Sequence, residues 1–283
     1  MADTVEIVEM APRDGLQNEA ATVPTRDKIA LVDMLSQAGF RRIEVTSFVS
    51  PKWVPQLADA SDVMGGISRA DDVQYGVLTP NTKGLERALE TRPDWIAVFA
   101  AASEGFSRAN LNCSIAESLE RFRPVAAAAL AIDIPVRGYV SCVTDCPYDG
   151  RVAPQAVADV TAALFAMGCF EVSLGDTIGA ATPESVDAML DAVLERGSPD
   201  QIAGHFHDTG GRALDNIETC LHRGLRVFDA AVGGLGGCPY APGAKGNVAT
   251  KAVHDRVTAL GFDTGLDVDA ISAAGAFAKG LRS

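Results

Sequence analysis

The sequence predicts a (β/α)8 TIM barrel with a short C-terminal helical extension. Three observations carry this reading. Eight apolar, β-branched runs of strand length recur along the chain, each bounded by turn residues. Segments with a 3.6-residue apolar period lie between them. The alternation fills about 250 of the 283 residues, and that length suits one large α/β domain spanning 1–283. A doubly wound open sheet is the alternative, but no GxGxxG follows the first run, which weakens its dinucleotide-binding form.

The runs are taken in order. VEIVEM begins at Val5, RIEVTSF at Arg42, VQYGVLT at Val73 and WIAVFAA at Trp95. PVRGYVSCV begins at Pro135, FEVSLGD at Phe170, IAGHFHD at Ile202 and VFDAAVG at Val227. The first helix is expected from a cap-like Thr25 to a stop at Gly39. Helical segments also begin at Ser114, Ala153, Thr182 and Ala213, and three of them end in glycine after the last apolar turn. From Gly261 onward a loop and final helix are expected to pack on the barrel.

Composition narrows the partners. At 47% hydrophobic and 22% charged, the chain reads as an ordinary soluble globular protein. Its net charge of −13 argues against nucleic acid, whose phosphates need a basic surface. Six cysteines show no dense framework and read as reduced thiols. Cys142 and Cys146 lack further ligands nearby that would complete a zinc site. The start shows no basic leader or apolar signal core, and the longest apolar stretch is too short to span a membrane. A cytoplasmic protein with no membrane partner is the expectation.

In such a barrel the chemistry gathers at the C-terminal ends of the strands. Arg13 and Asp14 follow the first strand. Glu44, Thr46 and Ser47 lie on the second, Arg137 and Tyr139 on the fifth, and Ser173 and Asp176 on the sixth. Two of only four histidines, His205 and His207, fall on the seventh. Residues i and i+2 of a strand share a side, so both imidazoles can reach one ion. With Asp14 they would suit Mg²⁺, Mn²⁺, Co²⁺ or Zn²⁺, the oxygen share favouring a six-coordinate ion. Two hydrogen-bonded core histidines are the alternative. Asp208 reads as a supporting residue or a turn cap.

After the eighth strand comes GGLGGCPYAPGAKGN, with six glycines in fifteen residues. It is either a plain surface loop or a mobile lid whose thiol, Cys238, donates or accepts a proton. Asn247 at its end offers a carbonyl oxygen to the same ion. Arg13 either pairs with a rim carboxylate or stabilises a developing oxyanion.

Six stretches, APRDGLQNE, EVTSFVSPKWVPQ, RGYVSC, SLGDTIG, HFHDT and GLGGCPYAPGAKGN, together resemble the 3-hydroxy-3-methylglutaryl-CoA lyase family, and in its order. The resemblance runs from Val5 to about Ala249. It implies a single catalytic TIM barrel of the pyruvate carboxyltransferase-like kind, with Asp14, His205, His207 and Asn247 binding Mg²⁺ or Mn²⁺. It implies catalytic roles for Arg13 and Cys238, with Asp176 and Glu44 in support, and an acyl-CoA substrate split into acetyl-CoA and acetoacetate. A base, His207, Asp176 or a water, would take the tertiary hydroxyl proton. Arg13 would stabilise the thioester enolate, and Cys238 would return a proton to it. Ser47, Arg137, Tyr139 and Ser173 are expected to contact the substrate. A homodimer or larger homo-oligomer is expected.

Two positions depart from the resembled pattern: Ala20 stands where lysine is usual, and Lys251 where glutamate is usual. Lys251 either alters the field at the site and weakens cleavage, or points to solvent. A related 3-hydroxyacyl-CoA lyase and a Claisen-type condensing synthase are the alternative activities. An amidohydrolase-type metallohydrolase is disfavoured, because it carries its HxH on the first strand rather than the seventh.

Overall fold

A computed structural model describes residues 3–237 and 246–282. Its eight barrel strands are β1 Glu6–Glu9, β2 Arg42–Ser47, β3 Gln74–Leu78, β4 Trp95–Ala101, β5 Val136–Ser141, β6 Glu171–Asp176, β7 Ile202–Phe206 and β8 Val227–Ala230. Each lies inside the run expected for it. All pair in parallel in sequence order, and β1 pairs β8 over four residues to close the barrel. Both faces are covered, which is why these strands read as nearly continuous apolar runs.

The helices are α1 Thr25–Ser36, α2 Ala60–Gly66, α3 Thr82–Leu89, α4 Glu104–Leu111 and α5 Ile115–Leu130, followed by α6 Pro154–Ala166, α7 Pro183–Val193, α8 Ala213–His222, α9 Thr250–Ala259 and α10 Val268–Gly280. Their apolar faces and the outer faces of the strands form one large core. Ser114 and Thr182 cap α5 and α7 as expected. Thr25 does not cap α1: Pro24 precedes the helix, and the Thr25 hydroxyl donates instead to Asp59 at 2.7 Å. A short hairpin joining Asp145–Cys146 to Gly150–Arg151 sits between β5 and α6. The Asp-Gly pair at 149–150, with Gly150 at φ +73°, is the turn signal that marks it.

The C-terminal helix α10 packs on α1 and on the turn after β8. A Cβ at Gly233 would stand 2.9 Å from the Gly275 carbonyl oxygen, so the two backbones meet directly. Among the described residues, five cysteines are free and buried, and no helix is long and apolar enough to cross a membrane.

Inside the barrel, Val8, Met10, Leu78, Trp95, Ala97 and Tyr139 form a small apolar cluster. It is threaded by an ion-pair network. Arg42 bridges Glu6 and Glu171; Arg137 bridges Glu171 and Asp229. Arg137 also donates to the Tyr139 hydroxyl at 2.7 Å, and that hydroxyl donates to Glu44 at 2.5 Å. Glu44 accepts from Arg13 Nε, and Arg13 donates to Asp14 at 2.6 Å. Buried charges persist only where they are paired in this way.

Candidate metal centre and active site

The site is assembled where β1, β7 and β8 end. After β1 the chain makes a single π-helical turn, Ala11–Gly15, which carries Arg13 and Asp14. Such turns recur at functional sites because they re-aim a side chain without ending the element. His205 lies on β7. His207 lies one residue beyond the strand, in an isolated bridge to Asn247, rather than within the strand as expected.

The histidine Nε2 atoms are 3.4 Å apart, and each lies 3.9 Å from Asp14 Oδ2. A triangle of sides 3.4, 3.9 and 3.9 Å has its centre about 2.2 Å from each corner, the bond length of first-row divalent ions to nitrogen and oxygen. Among the described residues this is the cluster of three or more His, Cys, Asp or Glu groups able to hold an ion. Asn247 donates through Nδ2 to Asp14 at 2.8 Å and to the Leu235 carbonyl at 3.1 Å, while its Oδ1 is buried with no partner. A buried acceptor left unpaired on a side chain bonded to Asp14 fits a cation.

Electrostatics agree. The connected network holds five carboxylates, Glu6, Asp14, Glu44, Glu171 and Asp229, against three guanidiniums, Arg13, Arg42 and Arg137. These groups alone carry an excess of two negative charges, which a protonated His205 beside Asp229 lowers to one before any ion binds. Burial would raise the Asp14 carboxyl, but Arg13 and the two histidines hold it at about 2. Burial and the neighbouring His205 charge push His207 down to about 4, which keeps its imidazole neutral. Burial works against protonation of His205 too, yet Asp229 and Asp14 raise it above the usual range. Burial disfavours the Arg13 charge, but Glu44 and Asp14 more than compensate.

The structure therefore brings together Arg13, Asp14, Glu44, Tyr139, His205, His207 and Asn247. Arg137 and Ser173 lie beneath them, fully buried, with their polar atoms directed at Asp229, Glu171 and Tyr139. Two others are turned elsewhere. Ser47 Oγ accepts from Val49 N at 3.2 Å in a local turn. Asp176 accepts from the amides of Ala180 and Ala181, both at 3.1 Å, and so braces the loop after β6; burial raises its carboxyl to about 6. Cys238 lies outside the described residues. Sequence reasoning missed Asp229, which accepts from His205 Nδ1 at 3.1 Å. A lone carboxylate inside an apolar strand was the available signal.

Lys251 is on α9, which begins three residues after Asn247. Its ammonium is 2.6 Å from Asp255 and half exposed, so it faces solvent and not the ion cluster. The segment before α9 is tied down by Glu9. This buried carboxylate accepts from Ala11 N and Val232 N, both at 2.9 Å, and from the Thr250 hydroxyl at 2.7 Å. At the mouth of the glycine-rich loop, a Cβ on Gly246 would fall 2.0 Å from the Gly236 carbonyl oxygen, so the two ends of the loop touch backbone to backbone. A separate cleft of about 310 Å³, lined by Val143, Thr144, Arg151 and Ser185 among others, contains none of the candidate residues.

Known proteins share much of this sequence and fold. The chain is 53% identical over 277 residues to the mouse protein called 3-hydroxy-3-methylglutaryl-CoA lyase, cytoplasmic, covering 98% of this chain and 81% of that one. Its fold superposes on the HMG-CoA lyase of Brucella melitensis with a TM-score of 0.98 at 64% identity, covering 99% of both chains. It also superposes on an Acinetobacter baumannii HMG-CoA lyase solved with coenzyme A and 3-methylmalate, with a TM-score of 0.94 at 37% identity, covering 99% of this chain and 92% of that one. The HMGL-like family model matches residues 4–277, and the chain belongs to the HMGL-like family.

Proposed function

We propose that the chain, acting as one catalytic unit, is a carbon–carbon lyase that splits 3-hydroxy-3-methylglutaryl-CoA into acetyl-CoA and acetoacetate. The observation that carries this is the Asp14–His205–His207 triangle with the Arg13 guanidinium beside it. The similar lyases named above support the substrate, one of them by its bound coenzyme A.

Asp14, His205 and His207, with Asn247 Oδ1, would hold a divalent ion, Mg²⁺ or Mn²⁺. Such an ion, when bound, acts as a Lewis acid toward hydroxyl and carboxylate oxygens of the substrate. Asn247 fixes the Asp14 carboxylate by donating to Oδ2, and Arg13 fixes Oδ1. Arg13 is itself held through Nε by Glu44, which leaves Nη2 without a described partner. A guanidinium fixed in this way stabilises the thioester enolate formed when the carbon–carbon bond breaks, because it needs no reorganisation as charge develops. A base takes the substrate's tertiary hydroxyl proton, and Cys238 returns a proton to the enolate carbon. The bracing bonds of Asp176 count against it as the base, and an Nε2 given to the ion counts against His207, which favours a water. Arg137 and Ser173 act by holding other residues rather than by touching the substrate.

A cytoplasmic location is inferred from the mouse relative's name, and a homo-oligomer from the family resemblance. The test is a coupled assay for acetoacetate with the purified protein, hydroxymethylglutaryl-CoA and added Mg²⁺ or Mn²⁺, run against a panel of other 3-hydroxyacyl-CoA thioesters. Activity confined to another thioester, or condensation without cleavage, would replace this reading.

A further inference from the structure

We infer that Asp229 is a positioning residue that presets His205 for ion binding, with Arg137 and Ser173 fixing Asp229 in turn. This rests on the metal reading above and adds the device that aims one of the ligands.

The geometry is complete within the barrel. Asp229 on β8 is the cross-strand neighbour of His205 on β7. Its Oδ2 accepts from His205 Nδ1 at 3.1 Å and from Ser173 Oγ at 2.7 Å, and its Oδ1 accepts from Arg137 Nη2 at 2.8 Å. Asp229, Arg137 and Ser173 are all essentially unexposed. Three partners on β5, β6 and β7 leave the carboxylate one orientation. An imidazole whose Nδ1 hydrogen is given to a carboxylate must present its Nε2 lone pair on the opposite side, and Nε2 is the atom that faces His207 and Asp14. The carboxylate also makes the ring a stronger electron-pair donor.

Among the described residues no carboxylate supports His207 in this way: its Nδ1 is buried, and the Thr177 backbone lies against the ring. The two ligands are therefore held by different means, His205 by a charged partner and His207 by the bridge of its backbone to Asn247. The same Arg137 guanidinium that fixes Asp229 also reaches Tyr139, which holds Glu44, which holds Arg13. One buried cation thus supports both sides of the site.

The test measures binding rather than turnover. Mn²⁺ affinity is read by electron paramagnetic resonance in the unmodified protein, in Asp229→Asn and in Ser173→Ala. Folding is followed by circular dichroism. Asp229→Asn keeps the shape and removes the charge, and it should weaken Mn²⁺ binding tenfold or more. Ser173→Ala keeps every charge, loses one bond to Asp229, and should weaken binding by a smaller factor of at least about twofold. Independently of any variant, ¹⁵N long-range correlation spectra of the Zn²⁺-loaded unmodified protein should show His205 protonated at Nδ1 and ligated at Nε2. Ligation at Nδ1 overturns the inference even if Asp229→Asn does not fold. Equal Mn²⁺ binding by folded Asp229→Asn and the unmodified protein overturns the positioning role alone. Failure of the unmodified protein to bind Mn²⁺ overturns the metal reading beneath it, which separates the two failures.

Discussion

Asn247 donates a hydrogen bond to Asp14 at 2.8 Å across 233 residues of sequence. This bond joins the end of the glycine-rich segment to the turn that follows the first strand. Among the described residues the buried side-chain carbonyl oxygen of Asn247 then has nothing to accept from.

Removing a corner of the triangle should abolish both ion binding and turnover. His205→Ala or Asp14→Ala is expected to lower kcat by more than about 100-fold, since a lost ligand removes the polarising ion. Exhaustive chelation of the unmodified protein should do the same, with Mn²⁺ restoring activity. A chelated protein that turns over at full rate would show that the cluster is structural.

The thiol at Cys238 is expected to carry a proton. Cys238→Ser should fold and bind Mn²⁺ normally but lose most activity, because serine is a poor acid or base near neutral pH. Alkylation should inactivate, and substrate should protect. Normal turnover by the serine variant would remove Cys238 from the mechanism.

Lys251→Glu is expected to leave kcat/KM within about twofold of the unmodified protein. The side chain is paired with Asp255 on the outer face of α9, so reversal of its charge acts mainly on the helix. The lost pair and the new like-charge neighbour should cost a few tenths of a kcal/mol. A several-fold gain in kcat/KM would mean that the field of this lysine reaches the site.

Glu9 makes stability depend on pH. Burial raises its carboxyl from 4.5 to about 7. Its contribution is therefore fully present below pH 4.5 and is lost as pH rises through 7, by about 3 kcal/mol at most. Glu9→Gln is neutral at every pH and preserves the hydrogen-bonding shape, so its Tm should fall less than that of the unmodified protein between pH 5 and 8. Asp176, also raised by burial, accounts for a residual slope of the same sign. Asp14 acts in the opposite sense: held at about 2, it contributes stability that is lost as pH falls through that value. Parallel Tm profiles for Glu9→Gln and the unmodified protein would exclude Glu9 as the source.

The barrel was legible because each strand is a buried apolar run with a turn at its end, and the histidine pair because strand geometry sends alternate residues to one side. What the sequence hides is register. Asp229 becomes a partner of His205 only when β7 and β8 are aligned, and nothing local announces that alignment. Face is harder still near a strand end. Glu171 and Ser173 share one face of β6 and bond interior groups. Asp176 has the opposite parity, yet stands in the same motif and reads as a rim residue. Arg137 reads from sequence as a substrate contact, yet three buried partners already occupy it. The helices α2, α3 and α4 escaped notice because seven or eight residues carry too little periodicity to stand out.

The contact between Gly236 and Gly246 makes the segment between them a closed cassette. Its two stems meet before the cassette begins, and on either side of the junction Leu235 and Asn247 are already bonded to each other. The ligand set thus does not depend on the cassette's length for its alignment. Doubling the length of the segment between Gly236 and Gly246 should cost only about 0.6 kcal/mol in closure entropy, with Asp14 and Asn247 undisturbed. A replacement cassette, and with it a different residue at position 238, is expected to leave Asp14 and Asn247 in place as an exchangeable part.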